Sequence, residues 1–211
     1  MSKNDSSATE ERKASEFATL YHVWLTLFSV FEIVIRDAAV VSAWDEMMGD
    51  NGPATEKERF VSFLIDAVFE QLILELTRIF DTDKYKDEEN CSLKMLKACC
   101  ISDAEHFPNG AEDGYIIIID SLYESYENVI SKEVRNKQIA HLDLNRLFMI
   151  KSTPGFALND ILALVESTRI LLNKICLCFG VAVVGLLSVD ELKSNYVQLL
   201  SQLSGKDSSA L

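Results

Sequence analysis

The chain has 211 residues, 48% of them hydrophobic, and a formal net charge of −13. That length suits one domain with ample material for a buried core. Three prolines and eight glycines are too few for a sandwich or barrel with many tight turns, and a uniformly acidic surface repels nucleic acid, so any nucleic-acid activity has to come from a local basic site.

In chain order, residues 1–14 are polar and small and are expected to form a disordered tail without the apolar core of a secretory signal. A helical domain is then expected over residues 15–204, with a frayed tail at 205–211. Phe17, Tyr21, Trp24, Phe28, Phe31 and Ile35 recur every three or four residues and predict a first helix that runs to near Met48 and stops at GDNGP. His22, Thr26, Ser29 and Arg36 line its polar side. A second helix is predicted over about 55–81 from Leu64, Val68, Leu72, Leu76 and Phe80, widened by Ile65, Phe69, Ile73 and Ile79. Its broad apolar surface predicts the central, most buried helix. A charged loop follows, and Ser92 is placed to cap a short helix over LKMLKACC.

The fourth helix is predicted from about Tyr115 to Ile139, with Ile119, Leu122, Tyr126, Val129 and Val134 inward; its YIIII alone is ambiguous with a strand. A fifth is predicted over about 159–179. The run ICLCFGVAVVGLL at 175–187 is 13 residues, short of the roughly 20 a membrane-spanning helix needs, so it reads as buried core. Ser188 and Glu191 form a capping box that opens a sixth helix. The class is all-α, an antiparallel bundle of five to six helices.

Candidate chemistry concentrates in SKEVRNKQIAHLDLNR, residues 131–146. Arg135 and Asn136 are adjacent, and His141 follows after four residues. On a straight helix Arg135 and His141 would stand about 120° apart, so they share one phosphate only if the helix bends or if a second chain presents its own motif opposite. Between Lys132 and Lys151 five basic residues stand against two acidic ones. That leaves +3 there and −16 over the rest of the chain. The bland reading makes Arg135 and Lys137 ordinary cations near a helix C-terminus, with His141 capping its last carbonyls.

Other candidates are weaker. His22 reads as a solvated surface residue and His106 as an exposed loop residue. DTDKYKDEEN at 81–90 lacks the central Gly of a calcium loop and reads as solvated. Arg78 and Asp81 could pair at a helix end or support the site. Tyr123 and Tyr126 could stack on a base, with packing as the stronger reading. The cysteines, Cys91, Cys99, Cys100, Cys176 and Cys178, have no metal-site spacing and read as reduced, buried thiols of a cytoplasmic protein.

The arrangement Arg, polar residue, four residues, His, in a helical chain, is similar to the HEPN (higher eukaryotes and prokaryotes nucleotide-binding) signature. With LTRIFDTD at 76–83, SLKML at 92–96 and RNKQIAHLD at 135–143, the chain resembles the abortive-infection type of HEPN protein over most of residues 15–180. The resemblance implies a metal-independent endoribonuclease of a toxin–antitoxin or phage-defence system, without cofactor, built as a homodimer with one composite site. The implied partners are an RNA substrate and a cognate antitoxin or inhibitor protein, with no membrane. Carried over, His141 is the general acid or base, Arg135 holds the scissile phosphate and Asn136 orients it. Lys132, Lys137 and Arg146 are the expected RNA-binding cations. Some HEPN proteins carry a Tyr two residues after the His as a target of nucleotide transfer; here Asp143 stands there, and that regulation is not expected. The alternative is a catalytically inactive HEPN module for protein or nucleotide binding, and a plain helical scaffold is a third class.

Overall fold

The computed structural model describes residues 3–49, 52–81, 84–85, 88–89, 91–102, 104, 111–130, 157–179 and 185–205, with the side chains of 3–18, 84–85, 88–89 and 111–113 excepted. Among these residues the elements are α1 (Lys3–Met48), α2 (Glu56–Ile79), β1 (Lys84–Tyr85), β2 (Glu88–Glu89), α3 (Leu93–Ser102), α4 (Ala111–Val129), α5 (Leu158–Cys176) with a 3-10 turn at Leu177–Phe179, and α6 (Val189–Ser204). The class is all-α, as the periodicities predict.

The central helix is α1, not α2. It packs against α2, α3, α5 and α6. Leu20, Trp24, Phe31, Val34, Ala38 and Ala39 are fully buried along it. The expectation that α2 is the most buried helix fails because much of its wide apolar surface faces outward: Phe60, Phe63 and Leu64 are exposed. Apolar breadth on one helix says how much could be covered, and neighbours decide how much is.

Two clusters fix the directions. Val61 and Ile65 of α2 share one cluster with Val41, Trp44, Met47 and Met48 of α1. Leu72, Leu76 and Ile79 share the other with the earlier turns of α1. α2 therefore runs antiparallel to α1. α6 runs parallel to α1, since Val189 joins the earlier cluster and Leu200 the Met48 end. The Trp24 indole Nε1 donates to the Leu172 carbonyl at 2.9 Å, and Leu158 packs at the Met48 end, so α5 is antiparallel to α1. Tyr115 of α4 donates to the Lys174 carbonyl at 3.4 Å, while the other end of α4 meets the start of α5. The end of α4 and the start of α5 thus both point toward the Met48 end.

The boundaries follow local chemistry. The Ser188–Glu191 capping box forms: Glu191 N–H donates to Ser188 Oγ at 3.2 Å, and Ser188 N–H to Glu191 Oε2 at 2.6 Å. A second box at Thr55 and Glu58 opens α2. Ser92 caps α3 through Met95 N–H at 3.4 Å. Gly205 closes α6 at φ 76°, a left-handed conformation that glycine takes without a Cβ penalty. Replacing Ser188 by Ala removes one half of its box and is expected to cost about 1 kcal/mol, read as a lower urea midpoint at constant m-value.

Two expectations change, and the ambiguity of YIIII is resolved. The backbone is helical from Lys3, inside the segment expected to be a disordered tail; Glu10, Glu11, Arg12, Lys13 and Ala14 are good helix formers ahead of the apolar stripe. YIIII is helical, within α4. The only paired strands among the described residues lie instead in the charged loop, where Lys84 pairs with Glu89 and Tyr85 with Glu88 in an antiparallel ladder.

In the 175–187 run, Ile175, Cys176 and Leu186 are buried as expected, while Leu177 is exposed. Among the described residues no helix is long and apolar enough to cross a membrane.

Candidate functional site

The predicted site residues Lys132, Arg135, Asn136, Lys137, His141 and Arg146 lie outside the described residues. The structure describes the frame that holds both ends of their segment. α4 ends at Val129 and Ile130 makes a bend, six and five residues before Arg135, so the expected single helix to Ile139 is not continuous. Asn128, Val129 and Ile130 are poor helix formers, and the last turn of α4 holds no basic residue to meet the helix dipole. The described residues resume at Ala157, the N-cap position of α5.

Between these two points α4 and α5 enclose a groove of about 360 Å³. Ser125, Asn128, Asp160, Ala163 and Ser167 line it. Leu122, Val129 and Leu164 line it as well, so the lining is mixed, and its hydroxyls are already turned inward on their own helices: Ser125 Oγ donates to Ser121 O and Ser167 Oγ to Ala163 O. The groove therefore offers space and one charged lining residue, Asp160.

α4 is anchored to the end of α2. Phe80 stacks on Tyr126 with ring centroids 4.6 Å apart and planes 2° from parallel. Tyr126 Oη donates to Thr77 Oγ1 at 3.3 Å. Tyr123 meets the edge of Phe80 at 5.4 Å and carries Lys94 Nζ 5.5 Å from its centroid. Tyr126 is a core residue and not a base-stacking platform. The IFD of LTRIFDTD is thereby explained in part: Ile79 and Phe80 are buried and lock α2 to α4.

Arg78 does not pair with Asp81 through its side chain. Its Nη1 lies 2.7 Å from Glu75 Oε1, which also accepts from Gln71 Nε2 at 2.6 Å. Glu75, Arg78 and Asp81 line a second cleft of about 310 Å³ with Thr26, Val30 and Cys91.

Sequence reading passed over Asp37 and Glu75, which face one another across the α1–α2 seam. Glu75 is buried, Asp37 half-buried, and Asp37 Oδ2 has no hydrogen-bond partner. Burial raises the Asp37 carboxyl to about 6, the Glu75 carboxylate adds to the rise, and Arg36 opposes it. The signal was present: each acid sits inside an apolar repeat, Asp37 next to Ile35 and Ala38, Glu75 next to Ile73 and Leu76. A carboxyl that holds its proton more tightly folded than unfolded favours folding most below about pH 4, and that advantage is lost as pH rises to about 6. Asp37→Asn is therefore expected to match the wild type at pH 4 and to exceed it above pH 6, by about 1 kcal/mol once solvent screening is allowed for. Thermal melts across that range check it.

All five cysteines are free, and among the described residues no group of three His, Cys, Asp or Glu side chains is set to hold a metal ion.

An all-α bundle whose sequence carries Arg-Asn-x4-His between α4 and α5 has the organisation of a HEPN domain. The family profile described as AbiU2, a HEPN type, matches residues 11–199. The chain belongs to that family and is a HEPN domain protein of the abortive-infection type. Comparisons with curated proteins and with solved structures give no match.

Proposed function

We propose that the chain is a metal-independent endoribonuclease of an abortive-infection or toxin–antitoxin system, working as a homodimer with one composite site. One observation carries the reading: Arg135, Asn136 and His141 stand in a stretch of charge +3, while the rest of the chain carries −16. The family match adds the HEPN context.

In this reading an RNA 2′-OH attacks the adjacent phosphorus and the 5′-oxygen leaves, giving a 2′,3′-cyclic phosphate. A neutral His141 imidazole takes the 2′-OH proton, and an imidazolium returns one to the leaving oxygen. The Arg135 guanidinium meets the charge that gathers on the phosphate, and Asn136 orients it by hydrogen bonding. Lys132, Lys137 and Arg146 hold the flanking phosphates. A cognate antitoxin or inhibitor protein restrains the activity.

The acidity of the remaining surface favours a second reading, an inactive HEPN module that binds protein or nucleotide. Incubating cellular RNA with the purified chain and with His141→Ala, both in EDTA, separates the two. Cleavage to 2′,3′-cyclic ends by the wild type alone is the expected result. A folded dimer that cleaves nothing moves the assignment to the binding module.

A further inference from the structure

α1, the end of α2 and Cys91 ahead of α3 enclose the second cleft. Its volume of about 310 Å³ sits at the small end of the roughly 300–1,000 Å³ that ligand pockets occupy. Leu27, Val30 and Ile79 give it apolar walls.

Its polar lining consists mostly of acceptors. The Glu75 side chain is 8% exposed, and both of its bonds, from Gln71 Nε2 and Arg78 Nη1, fall on Oε1. Among the described residues Oε2 accepts none, although its carboxylate is taken almost wholly out of water. Thr26 spends its hydroxyl proton on the His22 carbonyl at 2.9 Å, so its oxygen is left to accept. Cys91 gives its thiol proton to the Val23 carbonyl at 3.5 Å. Arg78 brings donors, but its side chain is 72% exposed and Nη1 is already engaged by Glu75. Charge points the same way. Glu75 faces Asp37 across the α1–α2 seam, and Asp37 Oδ2 is buried without a hydrogen-bond partner. Each of these two carboxyl groups leaves an oxygen without a donor, which costs free energy away from water. A ligand that brings N–H donors together with positive charge offsets that cost.

We infer that this cleft binds the ammonium group of a small aliphatic amine, its head on Glu75 Oε2 and Thr26 Oγ1 and its alkyl part along Leu27, Val30 and Ile79. An ammonium head has three donors and no acceptor, which matches this lining. Among the described residues no three His, Cys, Asp or Glu side chains converge to hold a metal ion, so a bare divalent cation lacks the oxygen ligands it needs here. The apolar walls favour an alkyl stem over a hydrated inorganic ion. None of the residues that define the cleft belongs to the Arg135–His141 segment, and the site stands whether or not the chain cleaves RNA.

Isothermal titration calorimetry on the full chain tests it, with n-butylammonium, putrescine and tetramethylammonium at matched ionic strength. Tetramethylammonium carries the charge without an N–H. The wild type is expected to bind the first two saturably, one per chain, and tetramethylammonium not at all. Glu75→Gln is expected to weaken binding by about tenfold or more, the size of a lost charge-assisted hydrogen bond. Thr26→Val, at an exposed position, is expected to weaken it by about threefold. Arg78→Ala is expected to tighten it, because it frees Oε1 and removes a competing cation. Circular dichroism confirms that each variant is folded. A wild type without saturable binding, equal binding of tetramethylammonium, or a folded Glu75→Gln chain of unchanged affinity overturns the site. If Glu75→Gln does not fold, unchanged affinity in both Thr26→Val and Arg78→Ala overturns it. Nα-acetyl-lysine amide carries the same head on a peptide unit. Tighter binding of that compound than of butylammonium and putrescine would assign the cleft to a lysine side chain of another protein and overturn the small amine.

Discussion

His141→Ala is expected to lower metal-free RNA cleavage by about 10²- to 10⁴-fold while leaving the fold and the dimer intact. That range is what a positioned acid or base contributes to proton transfer. Imidazole suits the role because it both accepts and returns a proton near neutral pH, and the chain has only two other histidines, His22 and His106. His22 is exposed on α1, and its ring meets Tyr21 edge-on at 5.9 Å. His22→Ala therefore serves as the control and is expected to leave cleavage unchanged. Arg135→Lys should remain well below the wild type, because an ammonium keeps the charge and loses the planar fork of donors. Equal cleavage by wild type and His141→Ala would leave the motif without a chemical role and assign the activity to a contaminant. The readout is initial rate on one defined RNA in EDTA, with the 2′,3′-cyclic end confirmed by mass.

Trp24→Ala is expected to cost about 3–5 kcal/mol in unfolding free energy, the largest stability effect of any substitution discussed for this fold. Trp24 is fully buried at the crossing of α1 with α5. Its ring meets Phe28 at 5.0 Å and Phe179 at 5.1 Å, so truncation empties the middle of an aromatic group as well as removing the bond to the Leu172 carbonyl. Trp24→Phe keeps most of the ring contacts and loses the indole N–H. Its expected cost is smaller, about 2 kcal/mol. Urea unfolding by circular dichroism reads both, and a Trp24→Ala cost below 1 kcal/mol would show that α5 does not depend on this contact.

Much of the bundle was legible in the residues because helix signals are local. A repeat of three or four residues needs no neighbour to be recognised, and the Ser188–Glu191 box carries its own partners within one turn. The same locality explains the misreadings. α2 looked central since Leu64 and Val68 belong to its apolar stripe and Phe69 widens it, yet Leu64 is exposed and the other two only partly covered. The two-residue ladder at 84–89 is too short to leave a period-two pattern.

For the candidate site, the sequence by itself determined the residue types and their spacing: Arg135, Asn136 and His141 in the one basic stretch of an acidic chain. It also determined the all-α class, since the apolar period is fixed by residue order alone. Only the tertiary structure decided that α1 is the helix around which the others pack, that Phe80 stacks on Tyr126 to lock α2 to α4, and that Arg78 turns to Glu75 and not to Asp81. It alone brought Asp37 and Glu75 together across α1 and α2, 38 positions apart in the chain. These are choices between neighbours distant in sequence. Each is settled by which apolar faces cover one another and which charges are then left at the seam, and no window of a few residues contains that information.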